Sequence, residues 1–230
     1  GHEALASAPN DADRVDGLRF ILRQLAYREE QFIEFPVGAK PELFFPESPT
    51  RKVFADCPDT IYHQFSVARG GTYRINATRG SSPYISFTAY RSGIIDRVVA
   101  DLHDGEIEIA DDATFTVNVG GPAQASNWLD LGEDAAFVVI REYTHDRTNG
   151  VKATFEVEQM SPDLVHRAEL DADRLGSALA IIGLGLSWVN SATVRLSEEL
   201  RARPNMMNEA AAELVSEMAG TPHNHYQLCY

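Results

Sequence analysis

Hydrophobic positions change their period twice along the chain. From Asp11 to about Gln31 they recur every three or four residues. Leu18, Ile21, Leu22 and Leu25 share one side, with charges opposite, which predicts an amphipathic helix. Asn10 or Asp11 supplies its N-cap. Phe32 to Pro49 then carries Pro36, Pro41, Pro46 and Pro49 among aromatics. Proline at that density forbids a regular element. A packed connector is expected, with Phe35, Phe44 and Phe45 against the next sheet.

From Cys57 to about Gln159 the period drops to two. After the Pro58-Asp59 turn, Ile61, His63, Phe65 and Val67 fall on one face, and Tyr62, Gln64 and Ser66 on the other. Further strands are predicted at Tyr73–Thr78, Tyr84–Tyr90, Val98–Leu102, Glu106–Ala110, Thr114–Val119, Ala135–Tyr143 and Val151–Glu158. Gly, Pro and Asp turns separate them. Short strands at about ten-residue spacing predict an α+β protein built on an antiparallel β-sandwich, jelly-roll-like, flanked by an N-terminal helix and a C-terminal helical segment.

After Ser161-Pro162, with Ser161 or Asp163 as cap, the helical period returns from Leu170 to Leu200, with a break expected inside. Gly176 to Val194 holds no charge, but its glycines, serines and Asn190 make it too polar for a membrane span of about 20 residues. A helix buried against the sheet, with glycines permitting close approach, is expected instead. Arg203-Pro204-Asn205 breaks it, and Met206–Met218 reads as a last amphipathic helix. His223–Tyr230 is a strand-like run whose Tyr226-Gln227 echoes the Tyr62-His63-Gln64 strand. It is read as the start of a second sheet domain, making the chain one part of a larger protein. The organisation expected is residues 1–50 helix and connector, 51–160 sandwich, 161–222 helical segment, and 223–230 the opening of that further domain.

A chain of 230 residues with 44% hydrophobic content can bury a real core. Its formal charge of −14 argues against a nucleic-acid surface and an anionic membrane face. Two cysteines, Cys57 and Cys229, allow no disulfide framework. Gly1-His2 reads as a cleavage scar, so a removed leader stays open beside the favoured cytoplasmic location.

Candidate chemistry concentrates where the first strand begins. His63 is a candidate general base, oriented by Asp59, with Tyr62 as oxyanion partner. The bland alternative is an Asx turn at Asp59 and a core histidine. Tyr62 and His63 point to opposite faces unless a bulge intervenes. Asn127-Trp128-Leu129-Asp130 offers a stacking ring with polar flanks, or a tryptophan that locks a loop. Tyr84, Tyr90 and Arg91 complete the candidate ligand-binding set. His223 and His225 share a strand face, the spacing of paired imidazole ligands, but read as incidental, so no metal site is assigned. No phosphate loop, dinucleotide fingerprint or nucleophile elbow occurs, and no cofactor is assigned.

Asp56-Cys57-Pro58-Asp59-Thr60-Ile61-Tyr62, Gly71–Ile75, Tyr84-Ile85-Ser86-Phe87 and Asn127–Asp130 resemble a bacterial family called domain of unknown function 1214, often paired with its 1254 relative. The resemblance covers about Asp13 to Gly150, and the helical part loosely. It implies a sandwich with helices and a further carboxy-terminal sheet domain. It implies no reaction. The functional expectation is an enzyme on a small organic molecule, of lyase or hydrolase type, without a nucleotide cofactor. Its pocket would lie where sandwich meets helices, lined by Tyr62, His63, Tyr84, Tyr90 and Trp128. The alternatives are a non-catalytic module for a carbohydrate or hydrophobic ligand, and a structural part that pairs with a second β-domain or a second copy.

Overall fold

Strict alternation from Tyr73 to Thr78 leaves one face buried and one half-open, whereas Ile85–Tyr90 and Phe137–Glu142 are buried at every position. That difference sorts the strands into two sheets, because only a sheet covered on both faces tolerates continuous burial. The computed structural model of the protein describes residues 8–36, 40–48, 51, 57–93, 96–161 and 170–206. In chain order these form α1 (Asp11–Glu29), a π-helical turn (Glu30–Glu34), β1 (Thr60–Ser66), β2 (Tyr73–Thr78), β3 (Ile85–Arg91), β4 (Arg97–His103), a 3-10 turn (Asp104–Glu106), β5 (Thr114–Val119), β6 (Trp128–Leu129), β7 (Phe137–Tyr143), β8 (Thr154–Gln159) and α2 (Ala172–Ala202).

The first sheet has the order β1-β7-β3-β4 and the second β6-β5-β2-β8. Every pairing is antiparallel except β5 with β6. The core between the sheets holds Phe65, Val67, Ile75, Ile85, Phe87, Val117, Val119, Val138 and Ile140, with Phe155 and Val157 packed against it. The expected α+β sandwich flanked by helices is the fold observed. Gly120 shows why one turn is glycine: its φ is +70°, and a Cβ there would lie 2.4 Å from the Gly71 carbonyl oxygen.

Local expectations fare unevenly. Asn10 does cap α1, its Oδ1 accepting the Asp13 N–H at 2.9 Å. The connector pairs with the sheet edge, since Phe44 and Gln64 exchange backbone hydrogen bonds of 2.8 and 2.9 Å, and Phe35 stacks on Phe44 at 4.5 Å. The strand expected at Glu106–Ala110 does not form. A 3-10 turn covers its start, closed by His103 Nδ1 accepting the Gly105 N–H. The short parallel strand β6 falls instead on Trp128–Leu129, in the stretch expected to be loop. Ser161 Oγ accepts the Thr72 N–H at 2.8 Å and ties down β2, while Asp163 and the turn after Ser161 lie outside the described residues. Asp171 caps α2, which runs unbroken over 31 residues. The amphipathic stretch after Met206 and the His223–Tyr230 run lie outside the described residues.

Helix α1 inverts its expected face, whereas α2 buries the apolar stripe of Ala178, Ile182, Gly185, Val189 and Leu196. Along α1 and the π-helical turn the buried residues are Gln24, Tyr27, Arg28 and Gln31, while Leu18 and Leu22 are 44% and 63% exposed. α2 is long and apolar enough to cross a membrane by length and composition, yet only 28% of its apolar window is buried. Gly176 and Gly183 face open space, so they permit no close approach. Gly185 does, but to Arg28 of α1 rather than to the sheet: a Cβ there would lie 3.3 Å from Arg28 Cζ.

Candidate functional site in the helix–sheet seam

The outer face of the first sheet is polar at its centre. Period two sends Tyr62, Gln64 and Ser66 of β1 outward, with Thr88 and Tyr90 of β3 and Arg141 of β7 on the same side. Arg141 is 4% exposed. Its Nη1 donates to Thr88 Oγ1 at 2.7 Å and its Nη2 to Tyr90 Oη at 2.6 Å. Its Cζ stands 6.0 and 5.9 Å from the Tyr62 and Tyr90 ring centroids, within cation–π range. Thr88 Oγ1 passes the chain on to Asp101 Oδ1 at 2.8 Å.

Above this face lie the polar side chains of α1. Tyr27 Oη donates a long 3.5 Å bond to Gln64 Oε1, and Ser66 Oγ donates to the Phe35 carbonyl. Arg28 lies between the Tyr27 and Phe32 rings, each 5.9 Å from its Cζ, and rests on Gly185. The π-helical turn that follows, a feature frequent at functional sites, carries Gln31 into the same seam. Among the described residues, several buried polar atoms here find no hydrogen-bond partner: Arg28 Nε and Nη1, Gln31 Oε1 and Gln64 Nε2, while the Gln31 amide nitrogen donates to the Asp96 carboxyl. Gln31 and Gln64 are only 4% and 1% exposed.

Asp96, just before β4, closes the group. The Gly93 N–H donates to its Oδ1 at 3.2 Å, and Arg28, Gln31 and Ser92 stand around the carboxyl. Part of the residue reaches solvent, but the carboxyl itself is crowded, and that loss of water raises its pKa above the ordinary aspartate range. Arg28 pulls the other way without prevailing. The same burial, with the Asp96 charge nearby, pushes the Tyr27 phenol well above its ordinary value. A carboxyl raised on folding stabilises fully below its unfolded pKa, and that contribution is lost as pH rises through the folded value. Asp96→Asn should therefore gain stability relative to wild type as pH rises from about 4, the unfolded aspartate value, through the raised folded value. Urea midpoints for both proteins across that window check this; a pH-independent difference would contradict it.

The sequence-derived candidates are scattered by the same geometry. His63 faces the sandwich interior, its ring 4.9 Å from both Phe45 and Phe155. Its carboxylate partner is Glu142 of β7, with His63 Nε2 3.4 Å from Glu142 Oε2, and not Asp59, which is exposed on the turn. β1 pairs with β7 without a bulge, so Tyr62 and His63 do stand on opposite faces. Tyr62 Oη accepts the Cys57 N–H at 3.2 Å. Tyr84 meets Tyr143 edge-on at 5.2 Å, and Tyr90 stacks on Phe137. Trp128 lies on the second sheet, its Nε1 donating to the Gly120 carbonyl at 3.1 Å. Asn127 clamps Glu108 through bonds to its N–H and carbonyl, and Asp130 Oδ1 accepts the Gly132 N–H. Arg91 pairs with Asp134 at 3.1 Å on the surface. The five residues expected to line one pocket therefore do not converge: only Tyr62 and Tyr90 reach the seam.

Arg28, Gln31, Gln64, Asp96, Arg141 and Glu142 did not stand out in the sequence. Two signals were present. Gln24, Arg28 and Gln31 repeat at four and three residues, a polar stripe opposite the leucines, and Arg141-Glu142 interrupts an otherwise apolar strand. Among the described residues no group of three His, Cys, Asp or Glu could hold a metal ion.

Fold and seam together define a two-sheet α+β sandwich with a polar layer under a helix. No family model matches the chain, and no curated protein does. Among solved structures it is similar to an uncharacterised protein from Burkholderia cenocepacia, with a TM-score of 0.87 at 24% identity, over 98% of this chain and 64% of that one. That likeness shows the fold, and the chain spans under two thirds of that protein's length. A protein from Vibrio parahaemolyticus aligns over 45% of this chain at 14% identity, with a TM-score of 0.32 that carries no argument.

Proposed function

We propose that the protein binds a small polar organic molecule in the seam between α1 and the first sheet. One observation carries this reading: the buried atoms Arg28 Nε and Nη1, Gln31 Oε1 and Gln64 Nε2 have no hydrogen-bond partner among the described residues, and Tyr27 and Asp96 link them. Protein interiors satisfy their polar groups, so buried donors and acceptors facing one seam call for an occupant that bonds to them. Their mixture of amide and guanidinium groups fits a ligand with both donors and acceptors, such as a hydroxy or carboxyl compound. The motif resemblance supports placing the chain with the domain of unknown function 1214 proteins, and pairing with a second β-domain belongs to that proposal.

A second reading keeps catalysis. The raised carboxyl of Asp96 favours it, since a group poised to keep its proton can give it up to a bound substrate. On that reading Asp96 is the acid–base residue of a lyase or hydrolase that needs no nucleotide.

Gln64→Leu tests the seam. It removes an unpartnered buried amide donor at about the same side-chain size but also the acceptor of the long Tyr27 hydroxyl bond, so a loss of about 1–3 kcal/mol that leaves the protein folded is expected. A panel of small polar compounds screened by thermal shift and calorimetry should contain ligands that raise the Tm of wild type. Their affinity should fall roughly tenfold in Gln64→Leu. Ligands that bind both proteins equally would place the site elsewhere, and a panel without any hit would remove the proposal.

A further inference from the structure

We infer that the seam takes a small hydroxycarboxylate on Arg28, and that Asp96 competes with this ligand for the guanidinium. This rests on the seam being a ligand site, as proposed above, and adds the ligand's class and its rival. Buried cations are paired, because an unpaired charge out of water is costly. The arginines of this layer differ in that respect. Arg51 pairs with Glu30 at 2.7 Å. Arg141 is joined to Asp101 through Thr88. Arg28 is 6% exposed, its Nε and Nη1 find no acceptor, and no ion pair among the described residues includes it. Arginine keeps its charge at any ordinary pH. An anion entering the seam would compensate it.

The other unpartnered atoms narrow the class. Gln64 Nε2 is a further donor, and Gln31 Oε1 is an acceptor that needs a hydroxyl or N–H from the ligand. A donor-rich site with one acceptor matches a carboxylate that carries a hydroxyl. Asp96 is the internal rival. Around it stand Arg28 and Tyr27 of α1, Gln31 of the π-helical turn, Ser92, and the Gly93 N–H. Glu47 of the connector and Tyr90 of β3 reach Tyr27 by charge. Arg28 is the one cation in that set, so a ligand carboxylate and an ionised Asp96 draw on the same charge. Loss of water already holds the Asp96 carboxyl above its ordinary range. A bound anion beside it raises that value further, so binding takes up a proton and weakens as Asp96 ionises.

Calorimetry of the 230-residue chain with glycolate, lactate and mandelate, each beside its primary amide, over about pH 5 to 9 tests this. The acids are ionised across that range, so their own charge stays constant. At least one should bind, at least about tenfold tighter than its amide. Its affinity should fall as pH rises through the folded value of Asp96, with proton uptake read from the dependence of the heat on the buffer. In Asp96→Asn the affinity should be level with pH and the uptake lost. Arg28→Gln should bind at least about tenfold more weakly; if it does not fold, the Asp96→Asn comparison decides. Amides that bind as tightly as acids, and that Gln64→Leu weakens, overturn the carboxylate but leave the seam a ligand site. Inorganic phosphate bound in preference to the acids overturns it as well. An acid affinity level with pH in wild type, or still falling in Asp96→Asn, overturns the competition. No binding by these acids or by any compound of the wider panel removes the seam reading too.

Discussion

Glu142→Ala should cost about 3–5 kcal/mol of folding stability. The side chain points into the end of the sandwich and is almost wholly buried. Its Oε1 accepts the Ala153 N–H at 2.7 Å, just before β8, and its Oε2 faces His63 Nε2 at 3.4 Å. Alanine would leave a buried amide and a buried imidazole without an acceptor, in a setting made of phenyl rings, and would open a cavity as well. Losing a buried hydrogen-bond acceptor costs more than the hydrocarbon contact it removes, which decides the sign. Glu142→Gln keeps the shape and an acceptor oxygen for Ala153, so about 1–2 kcal/mol is expected there. Replacing both partners, His63→Leu with Glu142→Leu, should recover only the part due to the imidazole and the cavity, because the Ala153 N–H stays without an acceptor. Urea unfolding of the four proteins measures this. A loss below about 1 kcal/mol for Glu142→Ala would mean that water reaches the site.

Arg141→Ala should cost a similar amount, about 3–5 kcal/mol, for a different reason. The guanidinium joins three strands: it extends from β7, donates to Thr88 and Tyr90 of β3, and lies near the Tyr62 ring of β1. Removing it strands the Thr88–Asp101 hydrogen bond beside a hole in the seam. Arg141→Lys keeps the charge but not the planar fork or the stacking, so about 2 kcal/mol should still be lost. A double-mutant cycle with Tyr90→Phe should return a coupling of about 0.5–3 kcal/mol. Additive losses would show that the 2.6 Å contact contributes nothing of its own.

Both residues sit next to each other in the chain, and their fates show the limit of pattern reading. Ala135–Tyr143 was legible as a buried strand because its apolar run is continuous. Period two then says that Arg141 and Glu142 must face opposite sides, but not what each side offers. One enters the helix–sheet seam and the other the sandwich interior, and only the register of β7 against β1 and β3 fixes that. His63 is the same case. Its face was predictable from Phe65 and Val67; its partner was not, because Glu142 is 79 residues away.

What the sequence determined by itself was local. It narrowed the N-cap to Asn10 or Asp11, and it specified the helical and strand periods, the turns at glycine, and so an α+β sandwich between helices. These follow from contacts between residues a few positions apart, where spacing alone fixes geometry. What only the tertiary structure decided was which face of each helix meets protein. The leucines of α1 obey every rule for a buried stripe, yet Gln24, Arg28 and Gln31 hold the inside, on the side where Tyr27 bonds to Gln64 of the sheet and Arg28 rests on Gly185 of α2. Amphipathicity marks two sides of a helix; what each side meets is set by surfaces distant in the chain.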